Sequence, residues 1–149
     1  DDFRLIINSL NIQSNTLPAL LADFKYRISR KLEKMEIKLT WELNDIPDSV
    51  TLEPQQSLHI LRILQEAFTN ILKHADANEV SFSAIDLGGK IKIEIEDNGQ
   101  NSNQNDMKIG HGISNMKWRA NELSGQLTVN KQPSKGYRVT LIIPMEMSV

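Results

Sequence analysis

Apolar side chains recur along the chain with two periods, one typical of helices and the other of strands. Apolar residues three or four positions apart predict amphipathic helices over about 17–35, 58–75 and 113–123. Alternating apolar and polar residues predict strands around 37–43, 80–84, 91–97, 127–129 and 139–143. The predicted order is therefore helix, strand, helix, two strands, helix, two strands.

This order predicts an α+β fold with two layers, in which a mixed sheet is covered mainly on one face by about three helices. Gly88-Gly89 supplies the turn of a first hairpin, and the segment 133–136 supplies the turn of a second. Gly125 follows the last helix, where glycine commonly terminates helices. The polar segment 100–108 is expected to form a mobile loop.

Composition is that of a single soluble domain: 149 residues, 40% hydrophobic and 24% charged. Residues 1–15 are interpreted as the tail of an upstream helix with a linker, and 16–149 as the domain itself. The net charge of -2 without a dominant basic run argues against nucleic acid as a partner. No apolar run approaches the roughly 18 residues that span a bilayer, so this segment is expected to be soluble and not membrane-bound. The absence of cysteine permits a cytoplasmic setting.

Three polar residues share one stripe of the second predicted helix. Glu66, Asn70 and Lys73 are four and then three positions apart, with apolar residues behind them. A carboxylate, an amide and an ammonium in a row suit a metal-bound polyphosphate. An ordinary solvent-exposed helix face is the alternative for this stripe. For the neighbouring His74, a packed, hydrogen-bonded histidine is the alternative to ligand binding.

The third strand ends on a charged residue that its alternation directs inward. Counting in steps of two from Ile91, the next core-facing position after Ile95 is Asp97. A buried carboxylate needs a partner, and the amino group of adenine would be a suitable donor. The alternative is a turn aspartate, because Asp97-Asn98-Gly99 is also a common turn sequence.

Two glycines open the third predicted helix. Gly110 and Gly112, on either side of His111, would let backbone N–H groups approach a phosphate at a helix start. A lone pair of glycines is weak evidence, and an ordinary loop is the alternative.

Read together, these motifs resemble the ATP-binding domain of bacterial sensor histidine kinases. The segments 65–75, 97–99 and 110–116 carry the resemblance, and 119–125 continues it. More narrowly, the chain resembles the class of nitrate-sensor and membrane-fluidity-sensor kinases, within the superfamily that includes gyrase, the heat-shock chaperone ATPase and mismatch-repair ATPases. The resemblance implies a Bergerat-type α/β sandwich with ATP held beneath a flexible lid.

The resemblance also implies a role for each candidate residue. Asn70 would bind the Mg²⁺ that bridges the ATP phosphates, and Glu66 would polarise the attacking group or order a metal-bound water. The remaining assignments concern the nucleotide: Lys73 and His74 near the phosphates, Asp97 and Gly99 at adenine, and Gly110, His111, Gly112 and Ile113 at the lid.

Two positions depart from the family pattern. The aspartate motif usually has a second glycine where this chain has Asn101, and asparagine tolerates left-handed backbone better than most residues. The last strand is usually preceded by glycine-threonine, whereas this chain has Gly136-Tyr137. Thr140 is expected to face elsewhere. The second departure removes a hydroxyl that commonly lies beside the adenine-binding carboxylate.

The family phosphorylates a histidine that an acidic residue typically follows, and none of His59, His74 and His111 has that neighbour. The chain is therefore expected to bind ATP without phosphorylating itself. Its partners would be a histidine-bearing dimerisation domain and a response regulator in a membrane-anchored parent, while the fragment would be a monomer. The alternatives are a stand-alone superfamily ATPase, a serine kinase of the anti-sigma-factor type, and a decayed, non-catalytic interaction module.

Overall fold

In the part of the chain that the structure describes, three helices and five strands follow one another in the predicted order. The computed structural model describes residues 16–44, 46–47, 49–74, 76–99, 110–132 and 136–145, apart from the side chains of His74, Gly110 and His111. The elements are α1 (Leu17–Lys34), β1 (Lys38–Asn44), α2 (Pro54–His74), β2 (Glu79–Asp86), β3 (Lys90–Asp97), α3 (Gly110–Glu122), β4 (Gln126–Lys131) and β5 (Tyr137–Pro144). The predicted tail at 1–15, the loop at 100–108, Asn101 and the turn residues 133–135 lie outside the described residues.

The strands form one mixed sheet in the order β1-β2-β3-β5-β4. β1 pairs in parallel with β2, and the other three pairs are antiparallel. A parallel pair needs a long crossover, which α2 provides. In the β2–β3 register Val80 lies opposite Asp97, so the end of β3 adjoins the start of β2.

Alternation divides the sheet into a core face and a polar face. Ile91, Ile93 and Ile95 are buried together with Asp97, whereas the residues between them are only half-buried. The polar face carries ion pairs from Lys92 to Glu94 at 3.2 Å and from Arg138 to Glu96 at 3.4 Å. The helices therefore cover one face of the sheet, and the predicted two-layer α/β fold is confirmed.

Helix α2 begins four residues earlier than the periodicity indicated. Pro54 occupies its first turn, where a missing N–H is tolerated. The Gln56 side chain accepts a hydrogen bond from the Glu53 N–H at 2.8 Å, which satisfies a donor at the helix start. This boundary is fixed by helix capping. The capping residues are not apolar, so hydrophobic periodicity does not reveal them.

The end of α3 differs from the expected glycine cap. Ser124 is the residue with left-handed backbone, at φ 58°. The Gly125 N–H donates to the Ala120 carbonyl at 2.8 Å, and the Ser124 N–H donates to Asn121 at 2.9 Å, which together terminate the helix. Gly125 is instead required for close packing, because a Cβ there would collide with the backbone carbonyl of Ile142.

Candidate functional site

Asp97 is a buried carboxylate at the end of β3. Its side chain is on the core face, as its parity predicted, and the residue is 4% exposed. One oxygen accepts from the Gly99 N–H at 2.8 Å, and the other accepts from the Tyr137 N–H at 3.3 Å. The bond to Gly99 spans two residues and forms a local Asx-type turn. The backbone therefore forms the turn that was the alternative interpretation, and the Asp97 side chain is also a buried hydrogen-bond acceptor.

The surroundings of Asp97 act on its charge in opposite directions. Burial raises the pKa of the Asp97 carboxyl, and the neighbouring Glu96 carboxylate adds to the rise. The N–H groups of Gly99 and Tyr137 and the positive charge of Lys131 lower this pKa. Burial is the largest of these effects, so the N–H groups and the Lys131 charge only partly compensate the cost of burying the ionised Asp97 carboxylate.

Residues of β4 and β5, and the glycine before β5, lie beside Asp97. Gly136 packs so closely against the Asp97 carboxylate that a Cβ there would collide with it. Lys131 lies opposite Tyr137 in the β4–β5 register, with its ammonium 5.8 Å from the ring centroid. Thr140 has the opposite parity, so it does not face Asp97, as expected.

Asn98 ties the end of β3 to the start of β2. Its side-chain oxygen accepts from the backbone N–H groups of Asn78 and Glu79, both at 3.0 Å. Its amide nitrogen donates to the Asn78 side chain at 2.6 Å. These bonds fix the backbone at Asn98, between Asp97 and Gly99.

A second group lies where α2 meets α3. Gly112, in the first turn of α3, packs against Glu66 of α2, and a Cβ at Gly112 would collide with the Glu66 carboxylate. The two glycines predicted before a helix are thus part of it. Asn70 and Glu66 are half-buried, Lys73 is exposed, and Ile113 packs against the core. The structure therefore brings Glu66 and Gly112 together.

Chain connectivity relates the two groups to one another. His74 ends α2 and Glu79 begins β2, so five residues of extended chain limit their separation to about 18 Å. Glu79 is in turn bound by Asn98, next to Asp97. Asn70 and Lys73 are consequently at the same end of the molecule as Asp97. The hydrogen bonds described above for Asp97 and Asn98 do not reach Glu66 or Gly112.

Three residues of this region were not among the predicted site residues: Lys131, Gly136 and Tyr137. The resemblance gave a signal for one of them, because the family pattern places the residue at position 137 beside the adenine-binding carboxylate. The proximity of Gly136 and Tyr137 to Asp97 depends on the pairing of β3 with β5, which joins segments about forty residues apart, and the short β4–β5 hairpin then brings Lys131 beside them. Local periodicity carries no signal for such pairing. In the part of the chain described here, no group of three His, Cys, Asp or Glu residues is arranged to hold a metal ion.

In the described ranges, an open five-stranded sheet has three helices on one face and a buried carboxylate at the end of its central strand, as the predicted ATPase fold requires. Residues 55–147 match the family model described as "Histidine kinase-, DNA gyrase B-, and HSP90-like ATPase". This match covers more than half of the 149 residues, so the chain belongs to that ATPase family. The predicted family is confirmed.

The curated relatives that match the chain include sensor proteins and a sensor histidine kinase. The chain is 29% identical over 147 residues to the sensor protein NarQ homolog of Haemophilus influenzae, covering 95% of this chain and 24% of that protein. It is 33% identical over 129 residues to the nitrate/nitrite sensor protein NarQ of Escherichia coli, covering 85% and 22%. The sensor histidine kinase LiaS of Bacillus subtilis is 27% identical over 114 residues, covering 76% and 31%. The chain thus spans about a quarter of the length of these relatives.

Solved structures confirm the fold. The catalytic domain of histidine kinase ThkA superposes with a TM-score of 0.71 at 18% identity, covering 89% of this chain and 96% of that one. Full-length ShkA in complex with AMPPNP gives a TM-score of 0.71 at 17% identity, covering 88% and 30%. None of the helices in the described ranges is both long and apolar enough to cross a membrane.

Proposed function

We propose that this chain binds Mg-ATP and donates the γ-phosphoryl group to a histidine on a dimerisation domain of its parent protein. The observation that carries the proposal is the buried Asp97 carboxylate, fixed by two backbone N–H groups at the end of the central strand β3. An ionised carboxylate offers more acceptor positions than these two donors use. The amino group of adenine is a donor of suitable chemistry.

Gly99 and Gly136 support a base site at Asp97. Both are buried, and neither carries a side chain that would fill the space around the carboxylate. Asn98 holds the backbone of this segment through its bonds to Asn78 and Glu79. We assign Asp97 and Gly99 to adenine recognition.

Glu66, Asn70 and Lys73 support a phosphate site on α2. Amide and carboxylate oxygens suit Mg²⁺, which typically keeps several waters and takes few protein ligands. Asn70 would hold the ion together with the phosphates, and Glu66 would order a water bound to it. Mg²⁺ would supply charge neutralisation for phosphoryl transfer. Lys73 and His74 would lie near the phosphates, and Gly110, His111, Gly112 and Ile113 would border them at the start of α3.

The parent protein is proposed to be a membrane-anchored sensor with a response regulator as its partner, by analogy with the sensor proteins named above. This segment would then act on the cytoplasmic side of the membrane. In this arrangement the acceptor histidine comes from another part of the parent, and transfer depends on positioning two domains in line.

Calorimetric titration with ATP, with and without Mg²⁺, tests the nucleotide proposal. Asp97→Asn should abolish ATP binding, because the side-chain NH2 group replaces a carboxylate oxygen that accepts hydrogen bonds. Glu96→Gln is the matched control, since Glu96 faces the opposite side of the sheet and pairs with Arg138; it should bind normally. Asn70→Ala should bind ATP with little dependence on Mg²⁺. Absence of ATP binding by the unmodified chain would refute the proposal.

A further inference from the structure

The start of α2 and the end of α3 carry one aromatic and two cationic side chains around a histidine. These four residues, His59, Arg62, Trp118 and Arg119, form what we call the Trp118 cluster. The rings of His59 and Trp118 lie edge to face with centroids 5.7 Å apart. The Arg119 guanidinium lies 3.2 Å from Nδ1 of His59. These contacts hold side chains of two helices in a fixed arrangement.

Trp118 is unusually exposed for its size. It is 55% exposed, and the Arg119 guanidinium lies 5.7 Å from its ring centroid. An aromatic ring of this size buries a large apolar area when a partner covers it. Tryptophan and arginine are also the residue types most enriched among the residues that dominate binding energy at interfaces.

The two arginines place like charges close together. Burial, and then the nearby Arg62 charge, lower the pKa of Arg119. Across the described ranges neither guanidinium forms an ion pair with a carboxylate, and the exposed Glu122 near Trp118 does not provide one. Partial burial of adjacent positive charges is unfavourable unless an anion compensates them. The cluster is therefore complementary to an acidic surface.

We infer that the Trp118 cluster is a docking surface for a partner protein that presents carboxylates beside an apolar side chain. The apolar part would cover Trp118, and the carboxylates would pair with Arg62 and Arg119. A nucleic acid fits less well, since the chain carries a net charge of -2 and the cluster is not part of an extended basic stripe.

The Trp118 cluster lies close to the contact between Glu66 and Gly112. His59 precedes Glu66 by seven residues on α2, about 10 Å along the helix axis. On α3, Arg119 follows Gly112 by the same number of residues. A partner docked on the cluster would lie beside the Glu66–Gly112 contact. None of the four cluster residues belongs to the proposed nucleotide site, so the surface can be tested without ATP.

A synthetic helical peptide with glutamates and leucines on one face is a direct probe. Calorimetry without nucleotide should show saturable binding that weakens as salt is added. Trp118→Ala and Arg62→Gln should each weaken it by about tenfold or more. The matched controls are Tyr26→Ala and Arg30→Gln, because Arg30 lies 5.7 Å from the centroid of the Tyr26 ring on α1, which is 65% exposed. Both controls should bind the peptide normally.

Four results would overturn the inference: no saturable binding of the acidic peptide, equal binding of a peptide with glutamine in place of glutamate, equal loss in the α1 controls, or tighter binding of a single-stranded oligonucleotide. Thermal unfolding of each variant verifies that it is folded. Since the titration omits ATP, its failure would leave the nucleotide proposal untouched, and loss of ATP binding would leave the peptide result untouched.

Discussion

The Asp97 carboxylate combines two requirements that conflict in the free protein. Burial opposes its ionisation, whereas the adenine recognition proposed above would need an ionised acceptor. Two backbone N–H groups and the Lys131 charge act against burial. The folded state binds the Asp97 proton more tightly than the unfolded chain does. The free energy of unfolding therefore falls as pH rises from the unfolded pKa through the folded pKa of this group.

Replacing Lys131 by methionine should raise the pKa of Asp97 further, because a positive charge that favours the carboxylate is removed. Carboxyl ¹³C NMR as a function of pH measures this pKa directly. Lys92→Met is the control, since Lys92 pairs with Glu94 on the polar face and should leave the Asp97 titration unchanged. A Lys131→Met midpoint equal to or below that of the unmodified protein would contradict the described electrostatics.

Two glycines in the site predict different costs for the same substitution. In Gly136→Ala the new methyl group would displace the Asp97 carboxylate from its hydrogen bonds, so we expect a loss of about 1–3 kcal/mol in the free energy of unfolding. In Gly112→Ala the obstructing group is the end of the flexible Glu66 side chain, which can swing away. Stability should change little there. Urea unfolding of both variants measures this difference, and equal losses would show that the close packing at Gly136 is not as described.

Residue parity alone predicted that Asp97 faces the core, because the isoleucines of β3 set the alternation and the aspartate continues it. The close approach of Gly136 and Tyr137 could not be predicted this way. It depends on the register between β3 and β5, which are far apart in the chain.

At the scale of elements, the helix ends show where sequence patterns are insufficient. Apolar periodicity indicated all three helices, because each buries one face against the sheet. The start of α2 depends on Pro54 and on the Gln56 side chain, and the end of α3 depends on the backbone of Ser124. Such boundaries are fixed by hydrogen bonds of single polar residues.

The end of α3 yields a prediction of opposite signs at adjacent positions. Ser124→Gly should stabilise the domain by about 0.5–1 kcal/mol, because glycine adopts the left-handed backbone without the penalty of a side chain. Gly125→Ala should destabilise it by about 1–3 kcal/mol, because the methyl group would collide with the Ile142 carbonyl. Thermal or urea unfolding measures both. Destabilisation by Ser124→Gly would contradict the described helix end.

At the scale of the whole molecule, the chain carries the features proposed for nucleotide binding, and the sequence predicts that the phosphoryl acceptor lies elsewhere, because an acidic residue follows none of its three histidines. His59 is half-buried, and its Nδ1 lies within hydrogen-bond distance of Arg119. Sequence motifs predicted the ATPase family because the residues that carry the resemblance cluster in short segments. The spatial relation of those segments required the folded chain.

Incubation of this chain with γ-labelled ATP and Mg²⁺ should therefore give no stable, acid-labile phosphoprotein. Gel autoradiography before and after acid treatment measures this, and the same labelled ATP with an active sensor kinase is the positive control. If label were incorporated, His59→Gln would reveal whether it sits on that residue. Acid-labile label on any histidine of this chain would refute the assignment of the acceptor to another part of the parent.

The most direct test of a single nucleotide site formed by Glu66, Asn70, Asp97 and Gly112 is a backbone amide NMR titration with Mg²⁺ and a non-hydrolysable ATP analogue. The largest shifts should fall on segments 66–73, 97–99 and 112–114 together and saturate with one dissociation constant. Residues of the polar sheet face, such as Lys92 and Thr128, should be unaffected. Shifts confined to one segment, or centred on the polar face, would contradict the account.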